Sequence, residues 1–202
     1  MFGLFKRKRR GSVPFQEQLR VLEKGGIALD SRVHPESLLL SHSREKFEND
    51  PYRLLLCVLG GEAEDETQAG EFGYPSNQIW HFDTECIEGH GAYRAIVSRM
   101  VTLAQGALPL EQIDDFVDVE NGTAWLSFTM DGTAQKWLAK VDNDWVDPAI
   151  LSRLARLLES RQAGRRFTYI DLQGQDCLIG CATPKQRAWL EESTGLKVEW
   201  LK

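Results

Sequence analysis

Apolar side chains recur at helical spacing in several parts of the chain. In 93–104 and 150–158 they follow the i, i+3, i+4, i+7 rule of a helix with one buried face. A shorter stretch, 15–22, has similar spacing and is closed by a Gly-Gly pair. Asp147-Pro148 and Thr183-Pro184 each combine a capping side chain with a first-turn proline. The pattern therefore predicts amphipathic helices after these signals, and Pro35 opens a further predicted helix that runs to Lys46.

Strand-like runs alternate with these helices. Between Asp114 and Val141, the pairs Asn121-Gly122 and Asp131-Gly132 favour tight turns, because these residues tolerate positive φ angles. This predicts a three-stranded antiparallel meander. Further strands are predicted at 52–59, 79–85, 167–172, 177–182 and 196–201. Because the order lacks βαβ alternation, the expected fold is α+β, with antiparallel hairpins and a meander packed against several amphipathic helices.

The organisation follows from length and composition. The chain has 202 residues, of which 42% are hydrophobic, which is enough for one substantial core. We expect a disordered basic tail over 1–13 and a single domain over 14–202, with 14–107 and 108–202 as possible subdomains. An acidic, glycine-containing stretch at 62–76 without apolar periodicity is expected to be a mobile surface loop.

Charge is divided unevenly along the chain. The formal net charge is −6, and the first ten residues contribute +5 through the run 6–10, so the remaining chain carries −11. Such a body repels nucleic acid and anionic membranes and favours a basic partner. No apolar segment follows the basic start, and no apolar run approaches the length of a membrane span. We expect a cytoplasmic protein with reduced cysteines and without membrane contact, although the tail offers a possible peripheral membrane patch.

Candidate catalytic chemistry is sparse. His81, Cys86 and His90 offer three potential metal ligands, but their spacing matches no zinc signature, so no metal site is predicted. Cys177 and Cys181 share a strand face about 13 Å apart, which predicts core cysteines and not a disulfide. The glycine pairs fit neither a phosphate-binding loop nor a dinucleotide fingerprint. The sequence predicts no cofactor and no enzymatic activity. A cysteine–histidine or metal enzyme that uses these residues and Cys57 remains an alternative.

The remaining signal is an acidic surface with an aromatic residue. A buried aromatic anchor supplies affinity in protein interfaces, and flanking charge steers the encounter. The alternative is structural: a turn at 142–144, a helix cap at Asp147 and a core tryptophan. The predicted partner-binding residues are Asp114, Asp115, Asp118, Glu120, Asp142, Asp144 and Trp145.

Four stretches support a resemblance. They are FKRK at 5–8, WHFDTE at 80–85, WVDP at 145–148 and DCLIGC at 176–181. With them, the chain resembles in overall style the small bacterial immunity proteins that accompany secreted antibacterial toxins, including those of type VI secretion. The resemblance implies a cytoplasmic protein that binds a cognate toxin with a basic surface and occludes its active site. It carries over no individual functional residue.

Overall fold

The computed structural model describes residues 11–64 and 72–202. Within these residues lie six α-helices, one 3-10 helix and nine short or medium strands. The helices are α1 (Phe15–Lys24), α2 (Arg44–Asn49), α3 (Arg53–Gly60), α4 (Ala92–Leu103), α5 (Pro148–Ser160) and α6 (Pro184–Thr194), and the 3-10 helix covers Pro35–Leu40. The strands are β1 (Ala63–Glu64), β2 (Phe72–Gly73), β3 (Ile79–Asp83), β4 (Glu111–Asp118), β5 (Thr123–Met130), β6 (Thr133–Ala139), β7 (Arg166–Asp171), β8 (Asp176–Ala182) and β9 (Glu199–Trp200).

A four-stranded antiparallel sheet lies at the centre, in the order β3-β8-β7-β9. Alternate side chains of these strands enter two different cores, as the period of two in a strand requires. Leu178 and Ile170 face the core formed with α1, α2, α3 and α6. Ile179 and Phe167 face the core formed with α4, α5 and the second sheet. The protein is therefore an α+β fold with the central sheet between two apolar cores.

The second sheet is the predicted meander, in the order β4-β5-β6. Its turns lie at 119–122 and 131–132, where Gly122 and Gly132 take positive φ angles. Val117, Leu126 and Trp137 point from its inner face into the core shared with α4 and α5. Prediction and structure agree here, because turn chemistry acts over only a few residues.

Local helix signals were also confirmed. The Asp147 side chain accepts a hydrogen bond from the Ala149 N–H and caps α5. Thr183 and Gln186 form a reciprocal capping box at α6. The predicted helix over 93–104 is α4, with Tyr93, Val97 and other apolar side chains buried.

Two predictions around 35–59 were wrong. The strand predicted at 52–59 is the helix α3, in which Leu55, Leu56 and Leu59 are buried on one face. The prediction was wrong because a short apolar run alone does not distinguish a buried strand from a buried helix. The helix predicted from Pro35 to Lys46 is divided into the 3-10 helix and α2.

Three parts of the predicted domain organisation can be compared with the structure. Residues 1–10 of the expected basic tail lie outside the described residues, whereas Val13 donates a backbone hydrogen bond to the Glu48 carbonyl and contacts the core. In the predicted loop over 62–76, β1 pairs with β2, and 65–71 lie outside the described residues. β3 comes from the 14–107 segment and pairs with β8 from the 108–202 segment.

Candidate partner-binding surface

The loop over 140–147 connects β6 to α5 and presents Trp145, whose side chain is 40% exposed. Its backbone is held against the segment 84–87: the Val146 N–H donates to the Thr84 carbonyl and the Ile87 N–H to the Asp144 carbonyl, both at 2.8 Å. At its end, the Asp147 N–H donates to the Tyr93 hydroxyl at 3.0 Å. Tertiary hydrogen bonds therefore fix the loop, and the tryptophan is presented on an ordered backbone.

Carboxylates lie in the loop of this tryptophan and in the segment that pairs with the loop. Asp142 and Asp144 are exposed in its own loop, and Glu85 forms an isolated β-bridge with it. Burial, together with the smaller effect of the charges of Asp83, Asp144 and Glu88, raises the pKa of the nearby Cys86 thiol to about 11. These three carboxylates, from two segments of the chain, therefore all lie near the same thiol.

The segment 84–91 runs across the end of the meander towards β4. The His90 Nδ1 accepts a hydrogen bond from the Val117 N–H at 3.0 Å. Asp118 and the exposed Glu120 lie at this end of the meander, at the turn between β4 and β5. Hydrogen bonds from Asn121 lower the pKa of Asp118 and keep it ionised. We call this region the acidic end, and it comprises Asp83, Glu85, Glu88, Asp118, Glu120, Asp142, Asp144 and Trp145.

The structure divides the predicted partner-binding residues into three groups. Asp118, Glu120, Asp142, Asp144 and Trp145 gather at the acidic end. Asp114 is exposed on β4, but four residues away from Asp118 along the strand, or about 13 Å.

Asp115 does not belong to an exposed binding surface, and its prediction is corrected. It lies on the inner face of β4 and is only 9% exposed. Its two carboxylate oxygens accept hydrogen bonds from the Gly91 and Tyr93 N–H groups at 2.8 and 2.9 Å. These N–H groups lie at the start of α4, so Asp115 caps that helix from a neighbouring strand.

Sequence reasoning missed Asp83, Glu85 and Glu88 as parts of the surface. Their signal is the acidic run at 83–88, which lies between His81 and His90. The run becomes part of the surface because its backbone pairs with a loop 60 residues later, and no local pattern encodes that pairing.

A cavity of about 430 Å³ opens beside Trp145, between its loop, α5 and the central sheet. Val146, Leu151 and Ile179 form apolar parts of its wall. Polar groups at its rim come from Lys140, Asp142, Ser152 and Tyr169. It shares Asp142 and Trp145 with the acidic end, so the two are continuous.

The alternative metal site is not assembled. The His81 Nε2 lies 3.6 Å from a carboxylate oxygen of Asp176 on the neighbouring strand. The His90 Nδ1 accepts the hydrogen bond from the Val117 N–H on β4, and its ring packs on Phe116 at a centroid distance of 4.8 Å. Across the part of the chain that the structure describes, no group of three His, Cys, Asp or Glu side chains has the geometry to hold a metal ion.

The cysteines are free thiols in the described residues. Burial is the largest cause that raises their pKa, to about 11 for Cys57, Cys86 and Cys181 and to about 12 for Cys177. A nucleophilic cysteine needs the opposite shift, because the thiolate is the reactive form.

We expect native thiols to react with iodoacetamide at pH 8 at least about tenfold more slowly than the same thiols in denaturant, because two pKa units reduce the thiolate fraction about a hundredfold. The rate should rise as the pH approaches 11, where the native thiols ionise. Peptide mapping of the alkylated protein gives the rate at each cysteine. A cysteine that reacts faster in the native protein than in denaturant would contradict this expectation and favour the enzyme alternative.

Comparisons with known proteins give no assignment: no family model, no curated protein and no solved structure matches the chain. Among residues 11–64 and 72–202, no helix is long and apolar enough to cross a membrane.

Proposed function

We propose that this protein is an immunity protein that binds a cognate antibacterial toxin and covers its active site with the acidic end. The single observation that carries the proposal is the exposed Trp145, held on a hydrogen-bonded loop that also exposes Asp142 and Asp144. The proposal implies a cytoplasmic protein whose partner has a basic surface, in keeping with the resemblance and with the charge of −11 beyond the first ten residues.

The physical basis is an anchor combined with complementary charge. Tryptophan is a frequent hot-spot residue, since a large rigid side chain buries much area at a low entropic cost. The hydrogen bonds from Val146 and Ile87 order the loop before binding, so less conformational entropy is lost when the complex forms. The carboxylates raise the rate of encounter with a cationic surface, such as the substrate-binding cleft of a nuclease.

Two further features support binding over catalysis. The thiols have raised pKa values, which does not favour a cysteine nucleophile. Most carboxylates of the acidic end are also exposed, whereas general acids and bases in enzymes are commonly shifted by burial in a cleft. The run 6–10, on which the membrane alternative depends, lies outside the described residues.

The test is capture of the tagged protein from its own cells, followed by a toxicity assay of the captured partner. We expect a stoichiometric protein that stops growth when it is expressed alone and is harmless when this chain is co-expressed. Trp145→Ala should weaken the complex about 10- to 100-fold. Asp144→Lys should mainly slow association and reduce its salt dependence.

The matched control is Glu45→Lys, which makes the same charge change as Asp144→Lys at an exposed position on α2, across the central sheet. It should leave affinity and protection unchanged, and circular dichroism should show all three variants folded. Equal effects of Glu45→Lys and Asp144→Lys would overturn the acidic end as the interface. A captured partner without toxicity would overturn the immunity function itself.

A further inference from the structure

The outer face of the meander carries an apolar row that crosses all three strands. The strand register aligns Phe116 on β4, Trp125 on β5 and Leu138 on β6. The rings of Phe116 and Trp125 are stacked with an angle of 11° between their planes. Leu138 is 75% exposed on the edge strand β6, although leucine is one of the residues most often buried. Phe116 and Trp125 are half-buried, so the row is a partly open apolar surface whose most exposed member is Leu138.

Opposite charges lie at the two edges of the sheet beside the row. In the adjacent register position, Asp114 on β4 aligns with Ser127 on β5 and Lys136 on β6. Asp114 and Lys136 are both exposed, and the Lys136 ammonium also lies 3.8 Å from the centre of the Trp125 ring. The β4 side of the face is therefore acidic and the β6 side basic, with Trp125 at the middle.

A face with this pattern is complementary to itself. Rotation by 180° about an axis parallel to β5 places β4 of one copy over β6 of the other. Positions along the strand direction do not change, so each register position faces the same register position of the second copy. Asp114 then meets Lys136 of the second copy, Phe116 meets Leu138, and Trp125 meets Trp125. A twofold axis across the strands would instead bring Asp114 towards Asp118 of the other copy, which like-charge repulsion opposes.

We propose that the outer face of the meander binds the same face of a second copy of this chain, in a twofold dimer whose axis runs parallel to β5. The three strands give a face about 14 Å wide, which is small beside the roughly 800 Å² that each partner buries in a standard interface. The dimer should therefore be weak and concentration-dependent. It does not depend on the proposed toxin-binding function, which uses the acidic end.

The experiment is sedimentation equilibrium of the full chain from about 1 to 500 μM, the range in which weak pairs associate. We expect the average mass to rise from the monomer value of 22.9 kDa towards twice that value. Leu138→Glu should raise the dissociation constant at least about tenfold, because it puts a carboxylate into the apolar row. Leu40→Glu is the matched control, since Leu40 is 85% exposed on the 3-10 helix, which packs in the other core. It should leave the dissociation constant unchanged.

A charge exchange tests the orientation. Asp114→Lys and Lys136→Asp should each weaken the dimer about tenfold, and the double variant should return to within about threefold of the original dissociation constant. Thermal unfolding of every variant checks that it remains folded. A chain that stays monomeric at the highest concentration, equal effects of Leu138→Glu and Leu40→Glu, or a double variant as weak as the single ones would each overturn the proposal.

Discussion

Replacing Gly60 with alanine is expected to lower the free energy of unfolding by about 3 kcal/mol, at the upper end of the cost of overpacking a core. Gly60 is the last residue of α3, which packs directly against the backbone of β3. A Cβ atom at this position would lie 2.6 Å from the His81 amide nitrogen and 2.9 Å from the Trp80 carbonyl carbon. Both atoms belong to a paired strand of the central sheet, so they cannot move aside without disturbing its hydrogen bonds.

Urea unfolding followed by circular dichroism measures this effect. Gly174→Ala is the matched control, because nothing lies within 4 Å of a Cβ atom at Gly174, in the turn between β7 and β8. That variant should be neutral or slightly more stable, since alanine restricts the unfolded chain. If Gly60→Ala were as stable as Gly174→Ala, α3 could not approach β3 as closely as the structure shows.

The second large effect is expected at Gln18, where leucine should destabilise the fold by about 3 kcal/mol, because it leaves several buried polar groups without partners. The Gln18 side chain is fully buried in α1. Its amide nitrogen donates to the Val13 and Phe47 carbonyl oxygens, and its amide oxygen accepts from the Tyr52 N–H, all at 2.8 Å. It therefore ties the start of the domain, α2 and the start of α3 to one side chain.

Leucine is close to glutamine in volume, so its effect isolates the hydrogen bonds from the packing. The control is Gln16→Leu on the same helix, where the side chain is exposed and bonds only weakly to Glu36 at 3.3 Å. Thermal and urea unfolding should show a change below about 0.5 kcal/mol for Gln16→Leu. A Gln18→Leu protein as stable as the Gln16→Leu protein would show that the buried network contributes little net free energy.

The candidate site was predictable in part. Asp142, Asp144 and Trp145 stand together in the sequence, and their exposure follows from their place in a polar connection between a strand and a helix. Glu85 and Glu88 belong to the same surface only because the 84–87 backbone pairs with 144–146. Asp114 and Asp115 are adjacent aspartates that look alike in the sequence, yet the position of Asp115 on the inner face of β4 makes it a helix cap.

By itself, the sequence determined the elements whose signals are local: the meander with its Asn-Gly and Asp-Gly turns, α5 with its Asp147 cap, and α6 with its capping box. These signals act between residues a few positions apart, so they need no knowledge of the rest of the chain. Only the tertiary structure decided that 53–60 is a helix, because a continuous apolar run satisfies either element until its neighbours are known. The acidic end and the partly open outer face of the meander also depend on which distant segments pack together, since burial and pairing are properties of the whole fold.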